Sequence, residues 1–183
     1  RIYSMSKPIV SVAVMMMVED GRLQLADPVS RYLPELKGLR VGVEKTDAAG
    51  KAVLELVPAQ REMTVQDLMR HTSGLTYGVF GKSLVKEEYK RLDVDATEQS
   101  NTEFISRLAK VPPQFQPGTT WEYSRSTDVL GALLERVSGQ TLAAHLQQRI
   151  FTPLQMKDTG FWVPQAQQAR IAEPFAIDPD SKV

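Results

Sequence analysis

The stretch from Ile9 to Val18 is apolar at every position except Ser11, and it follows directly on Ser4-Met5-Ser6-Lys7-Pro8. This pattern predicts a helix over Ser4–Glu19, ended by Asp20-Gly21. Pro8 is tolerated only in the first turn, where few backbone hydrogen bonds are lost. A helix apolar on nearly every side is expected to be buried between layers, not laid on a surface. The run is about half as long as a membrane-spanning helix requires, and it lacks the small-residue cleavage site of a signal peptide. On this helix Ser4 and Lys7 share a face. That sets a hydroxyl beside an amine, one way to activate a serine nucleophile without histidine. The positive end of the helix dipole would favour a developing alkoxide and disfavour a protonated Lys7. A plainer reading is also open, in which Ser4 only caps the helix.

Composition removes several function classes. The 183 residues are 42% apolar and 24% charged, as in an ordinary globular protein, and we expect one domain over residues 1–183. Lys plus Arg and Asp plus Glu balance at 22 each, which argues against a general nucleic-acid or anionic-membrane binder. Without cysteine there are no disulfides or thiolate metal sites, and the compartment is left open. Only two histidines occur, His71 and His145, and no His-Glu-x-x-His. A Ser-His-Asp triad therefore has little to draw on, and neither a zinc site nor any cofactor is expected. The first residue is Arg1, not Met, so further sequence is expected upstream.

The rest of the chain reads as short helices and one hairpin. Strands are predicted over Arg40–Glu44 and Ala52–Val57 around Asp47-Ala48-Ala49-Gly50. Thr64 opens a helix through Arg70, with Asp67 in the capping-box position, and Ser100 with Glu103 opens another to about Ala109. Tyr77 to Gln99 is charged and weakly patterned, and reads as a lid or surface excursion. Leu130, Leu133, Leu134 and Val137 form a helical stripe stopped by Gly139. Thr141 caps a last helix ending near Ile150, and the tail after Gly160 is loosely patterned.

Ser-x-x-Lys alone is a weak signal, because Ser83-Leu84-Val85-Lys86 repeats it in a charged stretch. Only the first copy opens an apolar helix. Tyr123 reads either as a general base near a lysine or as a core tyrosine beside Trp121. His71, in a Thr-Ser-Gly turn, is expected to bond local backbone, and His145 reads as structural. Met15-Met16-Met17 is core filling. Trp121, Tyr77, Phe80, Phe161 and Trp162 are candidates for an acyl pocket, each with plain packing as the alternative.

Several motifs occur in order. They are Ser4-Met5-Ser6-Lys7-Pro8; Glu19 to Val29 followed by Tyr32-Leu33-Pro34; Thr64 to Leu75, with His71-Thr72-Ser73-Gly74; Tyr123-Ser124-Arg125 followed by Thr127-Asp128-Val129-Leu130-Gly131; and Phe151 to Phe161. The series resembles the serine β-lactamase-related family, which includes class C β-lactamases, D-alanyl-D-alanine carboxypeptidases and esterase relatives. The resemblance implies that Ser4 is the acylated nucleophile and that Lys7 and Tyr123 move its proton. It also implies that the Ser4 backbone N–H supplies half of an oxyanion hole. Arg125 stands where the family has Asn, offering donors and a fixed charge in place of an amide. That favours esters over β-lactams and places Arg125, with Trp121, at the substrate. The family's downstream Lys-Thr-Gly or His-x-Gly motif does not follow Tyr123.

The expected fold is therefore mainly α with a small β-hairpin. It corresponds to the helical region of a β-lactamase/transpeptidase-like α/β fold, without most of the sheet. The expected function is a serine hydrolase acting on a small-molecule ester, amide or β-lactam, with the piece itself inactive if the missing oxyanion donor is essential. The competing reading is a non-catalytic binding or sensor domain of the same fold. Contact with the remainder of the fold, or self-association, is the expected partner interaction.

Overall fold

The computed structural model describes residues 1–172; the end of the tail lies outside the described residues. Helix α1 (Ser6–Glu19) is entered through a 3-10 turn over Tyr3–Met5. Ser4 thus lies just ahead of the α-helix. Met5 occupies the N-cap position and no side chain caps it, so the capping role open to Ser4 is not realised. The helix buries Val10, Ala13, Val14 and Met17, an i, i+3, i+4, i+7 stripe. Burial on every side, expected from the sequence, is not found: Val12 is 51% and Met15 38% exposed. Apolar content shows what a helix is able to bury, whereas the described residues cover one face.

Strands β1 (Arg40–Thr46) and β2 (Ala52–Pro58) pair antiparallel, from Arg40 opposite Pro58 to Thr46 opposite Ala52. Asp47 closes the turn by accepting the N–H groups of Ala49 and Lys51 at 2.9 Å each, the turn chemistry expected of Asp. The hairpin is anchored at Gly42, whose N–H donates to the Pro113 carbonyl at 2.9 Å.

Helix α2 (Val65–Met69) begins at the expected Thr64–Asp67 capping box. The segment read as a lid instead contains α3 (Leu84–Arg91), capped by Ser83 and burying Val85 and Tyr89. Two buried residues among charged neighbours are too few to register as a helical stripe, which explains the misreading. Helix α4 (Asn101–Leu108) opens with the Ser100–Glu103 capping box. Helix α5 (Ser126–Ser138) ends at Gly139 with φ +72°. Helix α6 (Leu142–Leu146) changes pitch into a π turn over Gln147–Phe151. Helix α5 is central: it packs on α1, α2, α4 and α6. Its Leu130, Leu133 and Leu134 are wholly buried, in one cluster with Val14, Met17, Leu68 and Leu108.

A buried carboxylate ties α2 to the turn that follows. Asp67 has no exposed surface. Its Oδ2 accepts from the Thr64 N–H and hydroxyl at 2.9 Å each and from Arg61 Nη1 at 2.5 Å. Its Oδ1 accepts from Arg61 Nη2 and the Thr72 hydroxyl, both at 3.0 Å. Burial alone would raise this carboxyl, but the donors outweigh it and hold its pKa well below the usual carboxylate range. Thr72 is thereby fixed, and with it the turn from His71 (φ +57°) to Gly74 (φ +86°). A Cβ at Gly74 would lie 2.1 Å from the Phe115 carbonyl oxygen, so the turn needs glycine for space as well as for φ.

Asp67→Asn should destabilise the fold by about 3 kcal/mol at neutral pH, because it leaves the donors of a buried charge unpaired. A depressed folded pKa contributes stability above the unfolded carboxyl's value of about 4 and loses it as pH falls through the folded value. Urea unfolding of wild type and variant at pH 7 and pH 3 should show the gap narrowing in acid. An equal gap at both would mean the carboxylate's charge is not what stabilises the turn.

Candidate active site

Ser4 Oγ shares a hydrogen bond with Tyr123 Oη, 119 residues away in sequence, and accepts a second from Lys7 Nζ at 3.3 Å. Lys7 Nζ also lies 4.8 Å from the Tyr123 ring centroid and 6.0 Å from that of Tyr77. Tyr3, just before Ser4, adopts φ +44°, a left-handed conformation costing a bulky residue on the order of 1 kcal/mol. Ser4 is exposed and Lys7 half-buried. The second Ser-x-x-Lys does something else. Ser83 Oγ accepts the Lys86 N–H at 3.0 Å and donates to Gln114 Oε1 at 2.8 Å, while Lys86 Nζ pairs with Glu122 at 3.1 Å.

Tyr123 is held by a buried ladder of hydroxyls. Ser73 Oγ and Ser126 Oγ are 2.8 Å apart, as are Ser126 Oγ and Ser124 Oγ. The Ser124 N–H donates to His71 Nδ1 at 3.3 Å, and the Glu122 N–H donates to the His71 carbonyl at 2.9 Å. His71 therefore bonds a segment 53 residues on, not its own turn as expected. With Nδ1 accepting, the proton of the neutral ring is assigned to Nε2. The His71 ring lies 5.1 Å from Tyr123 and 6.2 Å from Trp121.

The charges divide the roles. Burial lowers the Lys7 pKa, but the phenols of Tyr123 and Tyr77 more than offset it, and the net shift is upward. This reverses the expectation that the helix end would disfavour protonated Lys7. The ammonium of Lys7, then the hydroxyl of Ser4, pull the Tyr123 phenol below its ordinary value. Burial pushes Tyr77 up. Burial and the charge of Lys7 push His71 down, so it stays neutral. Asp128, in the first turn of α5, is raised by burial despite Arg125 and Lys7 nearby. The site thus holds one cation, one phenol lowered from its ordinary value and one imidazole lowered likewise.

Of the five aromatics expected around an acyl pocket, three gather here. Trp121, 65% exposed, stacks 6.4 Å from Tyr123; Tyr77 lies 5.4 Å from Tyr123, and Phe80 5.3 Å from Tyr77. Phe161 lines an adjoining cleft of ≈ 370 Å³ with Ile2, Lys7, Ile9, Val10 and Asp128. Trp162 lines a neighbouring groove with Arg1 and Lys157. The guanidinium of Arg125, expected at the substrate, is turned onto Asp95, Asp128 and the Tyr77 ring. His145 is buried in α6, its Nε2 without a partner among the described residues. Among those residues no group of three or more His, Asp or Glu is placed to hold a metal ion, and no helix is long and apolar enough to cross a membrane.

Residues 1–180 match the Beta-lactamase family model, and the chain belongs to that family. Protein Rv1367c of Mycobacterium tuberculosis is 36% identical over 183 residues, covering 100% of this chain and 44% of that protein. Esterase EstB of Burkholderia gladioli is 37% identical over 177 residues, covering 96% of this chain and 41% of the esterase. Among solved structures, EstCE1, described as a hydrolase with promiscuous acyltransferase activity, superposes with a TM-score of 0.71 at 29% identity. It covers 90% of this chain and 40% of its own. The fold is thus the helical region of a β-lactamase-like fold, and the chain spans about two-fifths of the length of these relatives.

The order of phenol titration follows from this geometry. The first tyrosinate to form as pH rises should be Tyr123, read by ultraviolet difference absorbance and absent in Tyr123→Phe. Lys7→Met removes the neighbouring ammonium and should move that transition to higher pH. An unchanged transition would show that Lys7 does not set the charge of Tyr123.

Proposed function

We propose that this chain carries the nucleophile and its proton-transfer partners in a serine hydrolase that cleaves carboxylic esters through an acyl-Ser4 intermediate. The observation that carries the reading is the double engagement of Ser4 Oγ, by Tyr123 Oη and by Lys7 Nζ. A serine hydroxyl is a weak nucleophile until a base takes its proton. Tyr123, lowered by Lys7, is placed to take it.

The steps follow from these atoms. Tyr123 acts as its phenolate, formed beside the Lys7 ammonium; its oxygen accepts the Ser4 proton as Oγ bonds to the ester carbonyl carbon. The negative charge moves to the carbonyl oxygen, where the Ser4 backbone N–H would supply one oxyanion donor. Collapse re-forms the carbonyl and expels the alcohol, which takes the proton from Tyr123. Water then repeats the sequence on the acyl-Ser4 carbonyl and releases the acid. Lys7 remains an ammonium throughout, holding Tyr123 in its more acidic state. His71 stays neutral and orients the Ser124 backbone. An alcohol in place of water at the second stage would give acyl transfer, a reading supported by the exposure of Ser4 and by the likeness to EstCE1. Trp121 and Phe80 would form the apolar rim that meets the substrate.

The test is peptide-mapped mass spectrometry after fluorophosphonate treatment and, separately, penicillin, on this chain and on the longest form of the protein, with p-nitrophenyl ester turnover measured alongside. Ser4 should be the labelled residue. Ser4→Ala should lose the label and at least about 10³-fold in turnover, and Tyr123→Phe about 10²–10⁴-fold. A stable adduct without turnover would favour a sensor of the same fold. Activity surviving in Ser4→Ala would remove the assignment altogether.

A further inference from the structure

Arg125 and two carboxylates form a cluster just behind the site. Arg125 Nε donates to Asp95 Oδ1 at 2.6 Å and Nη2 to the Asp95 carbonyl at 3.1 Å, while Nη1 reaches Asp128 Oδ1 at 3.3 Å. The other Asp95 oxygen accepts the Gly78 N–H at 2.8 Å. A Cβ at position 78 would lie 2.7 Å from that oxygen, so the contact depends on glycine. The guanidinium carbon sits 4.9 Å from the Tyr77 ring centroid, within the range of a cation–π contact. Tyr77 in turn lies 5.4 Å from Tyr123, with Lys7 Nζ 6.0 Å from its centroid. Only about a fifth of the Arg125 side chain is exposed, so these contacts are poorly screened.

We propose that Arg125 is a positioning residue: bridging Asp95 and Asp128, it holds Tyr77 against Lys7 and Tyr123 and balances the Asp128 carboxylate beside the proton-transfer pair. Three of its donor nitrogens are taken up by the two aspartates, which gives the residue a task other than contacting substrate. The fit is specific to a guanidinium, since one ammonium cannot reach both carboxylates, a carbonyl and a ring face in this planar arrangement.

Electrostatics agrees with the geometry. The titratable and charged groups around Tyr123 are Lys7 from α1, His71 in the turn after α2, Tyr77 in the loop beyond it and Asp128 at the start of α5, with Arg125 one contact further out on Tyr77 and Asp128. Removing Arg125 leaves Asp95 and Asp128 uncompensated. Negative charge opposes loss of the phenol proton, so Tyr123 should ionise at higher pH.

The role rests on the reading of Tyr123 as the proton acceptor, and the test separates the two. Phenol ionisation is followed by ultraviolet difference absorbance, which needs no turnover, in wild type, Arg125→Met, Arg125→Lys and Arg125→Met/Asp128→Asn. The fold of each is checked by near-ultraviolet circular dichroism. Ester turnover against pH is then measured in the longest form of the protein.

Arg125→Met should move the first phenol transition and the acid limb of kcat/KM to higher pH. Its kcat should fall on the order of ten- to a hundredfold through misplacement of Tyr77 and Tyr123. The double variant should return the transition toward wild type without restoring kcat. Arg125→Lys, which keeps the charge, should show the smaller pH shift but still lose kcat, and it serves if Arg125→Met does not fold. A wild-type phenol transition in a folded Arg125→Met, or an undiminished kcat in a folded Arg125→Lys, overturns the inference. A raised KM with unchanged kcat and pH profile would overturn it too, returning Arg125 to the substrate. Failure of wild-type Ser4 to take a fluorophosphonate, with the phenol shift intact, would remove the hydrolase reading and leave the clamp standing.

Discussion

The buried carboxylate of Asp67 is the constraint on which the site depends. It draws Thr64, Arg61 and Thr72 onto two oxygens and so fixes where α2 starts and how the chain leaves it. Charge-assisted hydrogen bonds of this kind are roughly twice as strong as neutral ones, and a buried acceptor left unpaired would be costly. The turn they fix holds His71 in the left-handed region and presents Ser73 and His71 to the segment carrying Tyr123. Each later contact, through Ser126, Ser124 and the Glu122 N–H, is a modest hydrogen bond. Together they set one phenol against one serine, although neither α1 nor α5 alone determines that distance.

The electrostatic design follows from what is buried and what is paired. Lys7 is the only cation beside Ser4 whose charge is not matched by a carboxylate in direct contact among the described residues. Its field acts on phenols and on an imidazole. Phenols respond by moving apart: Tyr123, beside the Lys7 ammonium and bonded to Ser4, goes down, while the more buried Tyr77 goes up. Two chemically identical groups within one aromatic cluster thereby acquire different proton affinities. Burial and Lys7 lower His71, whose Nδ1 holds the Ser124 backbone N–H.

Much of the fold was legible because its signals are local. Capping boxes at Thr64–Asp67 and Ser100–Glu103, the Asp47–Gly50 turn and the Gly139 stop each act within one turn of chain, and each was found where the sequence placed it. Ser4 and Lys7 stood out by their spacing at the head of an apolar helix, whereas the meeting of Tyr123 with Ser4, across 119 residues, was implied only by the order of motifs along the chain. What escaped was set by distance. The burial of α3 depends on what covers Val85 and Tyr89. The exposure of Val12 and Met15 depends on what does not cover them. The commitment of Arg125 to Asp95 depends on a residue 30 positions earlier. His71 was read as a turn residue because its partner lies 53 residues ahead.

The two Ser-x-x-Lys copies make the same point as an internal comparison. Ser4 and Ser83 both stand three residues before a lysine, so spacing supplies the same local chemistry to each. At Ser83 the hydroxyl is consumed in capping α3 and bonding Gln114, and Lys86 is neutralised by Glu122. At Ser4 the cap position has passed to Met5, the hydroxyl is free to meet Tyr123, and the ammonium acts on the phenol it lies over. A serine becomes a candidate nucleophile when the fold leaves its proton with somewhere to go. Here the hydroxyl meets Tyr123, 119 residues on in sequence, in a segment held by the turn that Asp67 fixes.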